Sequence, residues 1–331
     1  MGERRSKGPE MITDGKVTGM LLIILDDTEE RDGYLSAVKA RFPELSVKAF
    51  SREEEIGSLI ERADILLTRK ISDGLLRRAK KLQWIQVKTS GVNYIVDLPS
   101  YKKDILLTSA RGIHGPQVSE MAMLLMLALN RNFPQNVKNQ EKRVWARWPG
   151  KLLYGKQVGI LGIGVIGEEI AKKCKAFGMT VHGIDIVDRR IDSVDYFYNP
   201  SALLQVMPKV DYFVIVVPYT RETEHMINRE VLSAMKPTSY LVNLGRGKVV
   251  DEAALIEALK QEKIAGAGLD TFATEPLPQD HPLWGLRNLI VTPHVAGASE
   301  NYVEQVFSIF GENLSRFLKG ERENLINVVK V

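Results

Sequence analysis

Val158-Gly159-Ile160-Leu161-Gly162-Ile163-Gly164-Val165-Ile166-Gly167 is an apolar, strand-type run ending in Gly-x-Gly-x-x-Gly, and a helical stretch, residues 168–177, follows at once. A second apolar run, 180–184, ends on Asp185, eighteen residues past Gly167. Each part has a physical task in holding a dinucleotide. Gly162 permits the tight turn, Gly164 lets the backbone approach a pyrophosphate, and Gly167 lets the helix pack closely on its strand. The amides and positive end of that helix face the phosphates. Asp185 is placed to accept hydrogen bonds from the adenosine ribose hydroxyls and to repel a 2′-phosphate, which favours NAD. Arg189 and Arg190 follow soon after and offer partial rescue for a phosphate, so NADP is the less favoured cofactor.

Three more segments stand at the carboxyl ends of apolar runs, where open α/β sheets gather their ligands. They are Val242-Asn243-Leu244-Gly245-Arg246-Gly247, then Gly268-Leu269-Asp270-Thr271-Phe272-Ala273-Thr274-Glu275-Pro276, then Val291-Thr292-Pro293-His294-Val295-Ala296-Gly297. With the glycine fingerprint, and with Glu275-Pro276-Leu277-Pro278 and His281-Pro282-Leu283-Trp284, they resemble the D-isomer-specific 2-hydroxyacid dehydrogenases. Ile113-His114-Gly115-Pro116 is similar to the glyoxylate- and hydroxypyruvate-reducing members, but glyoxylate, hydroxypyruvate, pyruvate, phenylpyruvate and phosphohydroxypyruvate share one keto-acid end and all stay open as substrates. The resemblance covers about residues 18–330, with the motifs in the family's order. It implies an NAD(H)-dependent oxidoreductase interconverting a 2-keto acid and its D-2-hydroxy acid.

That chemistry needs a hydride donor, a proton donor for the new alkoxide and a cation for the carboxylate. His294 is the candidate acid and base, because imidazole titrates near working pH. Glu275 is the candidate orienter, since a carboxylate on the other ring nitrogen fixes the tautomer and favours the imidazolium. Arg246 offers directed donors to the substrate carboxylate and the adjacent carbonyl. The resemblance implies the same three catalytic roles for Arg246, Glu275 and His294.

Further contacts follow by matching position. Asp270 is expected to bond the nicotinamide carboxamide, and Val165 and Ile166 match the backbone over the pyrophosphate. Val217, Pro218 and Thr223 match the loop lining the ribose and nicotinamide. Leu244, Gly245, Ala296 and Gly297, together with Arg246 and His294, wall the same pocket. Thr89-Ser90-Gly91-Val92-Asn93 resembles the family's substrate loop, so Ser90, Gly91 and Val92 join Arg246 and His294 as substrate-binding candidates. His114 reads as a hinge-loop residue, and Arg69 and Lys70 as a solvated charge pair. No metal site is expected.

Two other readings fit parts of the pattern. A formate- or phosphonate-type dehydrogenase is one, but formate-type relatives carry Gln where this chain has Glu275. A non-catalytic NAD sensor or transcriptional corepressor on the same fold is the other, and an intact triad does not exclude it.

The elements that must position these residues alternate strand and helix. Strands are predicted over 20–25, 46–50, 65–68, 85–88 and 105–108, with helices over 33–41, 53–62 and 73–81. A long apolar helix spans 117–130, and a polar arm with Trp145 and Trp148 spans 132–151. After the glycine strand come strands 211–217, 240–244, 266–271 and 289–292, helices 228–235 and 252–261, and a last helix, 299–319. Such alternation implies parallel sheets covered on both faces. The predicted fold is therefore α/β, with two Rossmann-like or flavodoxin-like parallel-sheet domains and an active-site cleft between them. Residues 1–17 form a disordered tail, 18–114 and 298–331 a substrate (catalytic) domain, and 115–297 the NAD-binding domain.

A chain of 331 residues is long for one core, and 44% hydrophobic with 26% charged content is ordinary for a globular protein. The net charge of +4 is small and scattered, which excludes a nucleic-acid stripe. No segment approaches a membrane span, and residues 1–16 lack a signal peptide's apolar centre. Cys174 is the single cysteine, which rules out a disulfide framework and fits a reducing, cytoplasmic compartment. The tryptophan-bearing arm lies where the family makes its dimer contacts, so a homodimer is expected.

Overall fold

The computed structural model describes residues 12–13, 16–17 and 19–329. The expected tail over 1–17 falls largely outside them; within it β1 (Ile12–Thr13) pairs antiparallel with β2 (Lys16–Val17). The chain divides into two compact units, one of residues 1–113 with 300–331 and the other of 114–299.

In the first unit the strands are β3 (Met20–Ile24), β4 (Ser46–Phe50), β5 (Ile65–Thr68), β6 (Trp84–Val87) and β7 (Leu106–Ser109). All pair in parallel, in the order β4-β3-β5-β6-β7. The side chains of β3 alternate between two apolar layers, as a pleat demands. Leu21 and Ile23 join Trp84, Phe310 and Phe317 on one face. Leu22 and Ile24 join Ile60, Leu75 and Ile85 on the other. Helices α1 (Thr28–Arg41), α2 (Asp73–Arg78) and α3 (Asn93–Val96) connect the strands. The predicted helix over 53–62 is instead two 3-10 segments, Glu53–Glu55 and Gly57–Arg62. Gly57 opens the second of them at φ +56°, a left-handed conformation that no α-helix can carry through.

The second unit opens with α4 (Gly115–Asn130) and α5 (Phe133–Glu141), the latter inside the polar arm. Then come β8 (Gln157–Leu161), α6 (Val165–Ala176), β9 (Thr180–Ile184) and β10 (Tyr196–Tyr198). After α7 (Leu203–Val206) follow β11 (Tyr212–Ile215), α8 (Arg229–Ser233) and β12 (Tyr240–Asn243). The unit ends with α9 (Glu252–Lys260), β13 (Gly266–Leu269) and β14 (Leu289–Val291). The seven strands are all parallel, in the order β10-β9-β8-β11-β12-β13-β14. The order turns back beside β8: the chain first adds strands toward one edge of the sheet and then toward the other, with every strand parallel. That switch point is where an open α/β sheet binds its ligand. Buried apolar layers cover both faces, Val158, Ile160 and Val242 in one and Leu161, Phe213 and Leu269 in the other.

The last helix, α10 (Tyr302–Leu318), belongs to the first unit, where Val306, Phe310, Leu314 and Phe317 are buried. Cys174 is buried on α6, a small apolar residue in effect. Among the described residues no helix is long and apolar enough to cross a membrane.

Candidate active site

The glycine turn begins at Gly162, whose φ of +97° lies in the region that excludes most side chains. Helix α6 starts at Val165, one turn earlier than the predicted 168, so its first amides stand directly behind Gly164. A Cβ on Gly167 would lie 1.9 Å from the Gly162 carbonyl oxygen, so only glycine lets the helix meet the turn. Gly164 is exposed, with nothing within 4 Å of the place its Cβ would occupy, and it caps α6 with no side-chain bond. An open cradle over uncapped helix amides fits a pyrophosphate.

At the end of β9, Asp185 Oδ2 accepts from the Ile163 amide at 2.6 Å, and Oδ1 accepts from the Val187 amide at 3.1 Å. The carboxylate therefore ties the glycine turn to its neighbouring strand. Each oxygen keeps a lone pair for a ribose hydroxyl. Arg189 donates to the Ile163 carbonyl, so its guanidinium is held on the turn. These residues fit NAD: the backbone at Gly162, Gly164, Val165 and Ile166 would hold the pyrophosphate, and Asp185 the ribose.

Two loops of the same unit bring His294 and Glu275 together. Glu275 Oε2 lies 2.7 Å from His294 Nδ1, and its Oε1 accepts from the Phe272 amide at 3.0 Å. Burial raises the Glu275 pKa. The hydrogen bonds from His294 and the Phe272 amide, with the charges of His294 and Arg246, more than offset that and hold it below the usual carboxylate range. His294 sits in the left-handed region at φ +53°. Arg246 follows β12 and spends one of its five donors on the Gly245 carbonyl at 2.7 Å. Asn243 braces that turn from below, donating to the Arg246 carbonyl and accepting from the Gly245 amide, both at 3.1 Å.

Asp270 has a task that the sequence did not suggest. Only 1% exposed, it accepts from Thr292 Oγ1 at 2.6 Å and from the amides of Val295 and Ala296 at 3.0 and 2.9 Å. The carboxylate fixes the loop carrying His294, whose expected neighbours Ala296 and Gly297 follow directly. A Cβ on Gly297 would touch the ring of His114, which is buried. Burial, and then the nearby Arg246 charge, push the His114 pKa down to about 4. Val217 lies close to both Gly162 and Gly245, Leu244 and Gly245 are buried directly after β12, and Pro218 is exposed. Thr223 turns its hydroxyl to the Pro218 carbonyl at 2.8 Å, closing its own loop. Ser90, Gly91 and Val92 lie in the first unit, half-buried after β6, where Thr89 Oγ1 donates to the Gly91 carbonyl at 2.9 Å. Among the described residues no group of three or more potential ligands could hold a metal ion.

Residues 123–296 match the D-isomer specific 2-hydroxyacid dehydrogenase NAD-binding domain. The chain is 34% identical to the D-3-phosphoglycerate dehydrogenase of Methanocaldococcus jannaschii over 295 residues, 87% of this chain but only 56% of that protein. It thus spans little more than half that relative's length. With the glyoxylate reductase of Korarchaeum cryptofilum it shares 35% identity over 80% of this chain and 83% of the relative. A solved D-isomer specific 2-hydroxyacid dehydrogenase family protein from Aeromonas salmonicida superposes with a TM-score of 0.86 at 34% identity, covering 95% of this chain and 99% of that one. The chain belongs to the D-isomer specific 2-hydroxyacid dehydrogenase family, and its second unit is that family's NAD-binding domain.

Proposed function

We propose that this chain interconverts a short 2-keto acid and the corresponding D-2-hydroxy acid, with Arg246, Glu275 and His294 as its catalytic residues. The observation that carries the proposal is the 2.7 Å contact between His294 and Glu275 at the carboxyl ends of the strands of an NAD-binding sheet. With Nδ1–H given to Glu275, Nε2 is the ring atom left to exchange a proton with substrate. In reduction the imidazolium gives its Nε2 proton to the substrate oxygen at the second carbon, and the C=O π bond becomes an O–H bond. In oxidation neutral Nε2 takes that proton back. Arg246 grips the carboxylate and polarises the carbonyl. The Gly91 and Val92 amides, with Ser90, are proposed as further carboxylate contacts. NAD(H), when bound, supplies or accepts the hydride.

Glyoxylate and hydroxypyruvate are the first substrates to test, since several relatives are glyoxylate reductases. NADH is the proposed partner over NADPH, on the strength of Asp185. A cytoplasmic homodimer completes the proposal. The arm leaves Trp145 94% exposed and carries Phe133, Val137 and Val144, a surface that a second copy would cover. A monomer by light scattering at micromolar concentration defeats the dimer.

The decisive experiment is a panel of 2-keto acids with NADH and NADPH, followed by nicotinamide absorbance. His294→Ala should lower kcat by about 10²–10⁴-fold with NADH binding nearly unchanged. Retained turnover in that variant would reject His294 as the acid.

A further inference from the structure

A second histidine–carboxylate pair holds the same 272–275 turn as the first. Glu252 is the first residue of α9, but it is not the cap, because Asp251 accepts from the Ala254 amide at 3.0 Å and fills that role. The Glu252 carboxylate points elsewhere. Its Oε2 accepts from the Ala273 amide at 3.2 Å, and its Oε1 lies 3.2 Å from His281 Nε2. His281 in turn accepts at Nδ1 from the Leu283 amide at 3.4 Å. Both side chains of the pair are about one-fifth exposed, 20% for His281 and 21% for Glu252.

We propose that Glu252 and His281 are positioning residues for Glu275, clamping the 272–275 turn so that one Glu275 oxygen is always presented to His294. The inference rests on the triad assignment above. Two successive amides in this turn are each held by a carboxylate. Phe272 N–H is held by Glu275 itself, and Ala273 N–H by Glu252. If the Ala273 peptide swung free, the Phe272 amide beside it would lose its direction, and Glu275 Oε1 its anchor. The rotamer that brings Oε2 to His294 Nδ1 would then be one among several. On the far side of the turn, His281 fixes the rotamer of Glu252. Its Nδ1 accepts a hydrogen bond, so the proton sits on Nε2 and is given to Glu252. A neutral ring is enough for the clamp.

A residue acting only on stability would lower the amount of folded enzyme and leave the His294–Glu275 hydrogen bond as it is. A positioning residue would not. Glu275 bonds His294 directly, the Arg246 charge acts on Glu275 and on His114, and Asp270 accepts from the amides of Val295 and Ala296 just after His294. Glu275 accepts at Nδ1, so loosening it should spread the His294 ring over both tautomers.

The test is the NMR ring-nitrogen resonances of His294, which report its tautomer, assigned by their absence in His294→Gln and compared at one pH in wild type, Glu275→Gln, Glu252→Ala and Glu252→Gln. Glu275→Gln sets the full displacement of those resonances. Glu252→Ala is expected to give a clear fraction of it, while kcat for keto-acid reduction falls about 10- to 100-fold and the NADH dissociation constant holds. Glu252→Gln keeps an acceptor for the Ala273 amide and is expected to restore most of both. Unmoved His294 ring-nitrogen resonances in folded Glu252→Ala overturn the clamp. Should that variant unfold, His281→Ala must show a displacement in the same direction, and its failure to do so overturns the clamp equally. If wild type turns over no 2-keto acid, the proposed function falls, while the tautomer readout still decides the clamp.

Discussion

The two units start with the same device, a central parallel strand feeding a helix, and differ in how they treat the helix's first amides. In the first unit β3 leads through Asp26 and Asp27 into α1. Asp27 accepts from the Glu30 amide at 2.9 Å, and Glu29 and Glu30 stand in the first turn. That helix end is capped and carries negative charge, so a phosphate meets repulsion there. In the second unit β8 leads through Gly162, Ile163 and Gly164 into α6, with no side-chain cap and open space over Gly164. The amides remain for a ligand. One backbone plan thus gives a scaffold or a dinucleotide cradle, according to three or four residues at a single turn.

The largest expected effect breaks the cradle at its closest approach. In Gly167→Ala the new Cβ would lie 1.9 Å from a backbone oxygen, and nothing flexible stands there to yield. Overpacking of this kind should destabilise by about 1–3 kcal/mol. The displaced turn should weaken NADH binding by about 100-fold, read by fluorescence titration. The control is Gly33→Ala in α1, where the Cβ would meet the two methyls of Val303, at 3.2 and 3.4 Å. It should gain about 0.5–1 kcal/mol in helix propensity, less the small adjustment of Val303, and leave NADH binding as it was. Equal losses in both variants would mean that the two turns are not distinct in kind.

Acid separates the units in a second way. All five histidines lie in the second unit, between His114 and His294. His114, 8% exposed, has its pKa pushed from 6.5 down to about 4. Below about pH 6.5 the unfolded chain binds a proton at this position that the folded chain refuses until about pH 4. Stability is therefore lost as pH falls through that window, by at most about 3 kcal/mol. In His114→Gln the loss between pH 7 and 4.5, measured by urea denaturation, should be smaller than in wild type. Identical slopes would show that His114 is not the group responsible.

The contrast between the turns also explains what the sequence could and could not disclose. The glycine cradle is contiguous, and each of its residues is chosen for a steric reason, so spacing alone reveals it. The strand alternation that built both sheets is legible on the same ground. The braces behind the triad are not. Asp270 reaches amides 25 and 26 residues later, and Glu252 an amide 21 residues later. Most of their partners are backbone N–H groups, which every residue but proline supplies and which leave no residue-type signal; the Thr292 hydroxyl and the His281 ring are the exceptions. His281 was visible only as part of a familiar phrase. Most of the elements misread or missed are short or interrupted, while α5, nine residues within the polar arm, went unread because none of its residues is buried. β10 is three residues long, α7 has four, and Gly57 splits an otherwise helical pattern.

A gentler variant sharpens the comparison. Gly164→Ala meets no protein atom within 4 Å, so stability should stay within about 0.5 kcal/mol of wild type. The methyl would nevertheless occupy the approach to the α6 amides, and NADH affinity should fall about tenfold, or about 1.4 kcal/mol. Full affinity with full stability would show that the pyrophosphate does not pass there.

The smallest effect belongs to the capped turn of the first unit. Asp27→Ala removes the cap of α1 and should cost about 1 kcal/mol, with Asp27→Asn restoring most of it. Helix α1 packs Tyr34 and Val38 into the first unit's core, so the cost should appear in global unfolding and not merely as fraying. NADH affinity should be untouched, because the amides released by the substitution still face Glu29 and Glu30. If the uncapped helix instead began to bind phosphate or NADH, the cap, more than the acidic first turn, would be what keeps this strand–helix unit from being a nucleotide site.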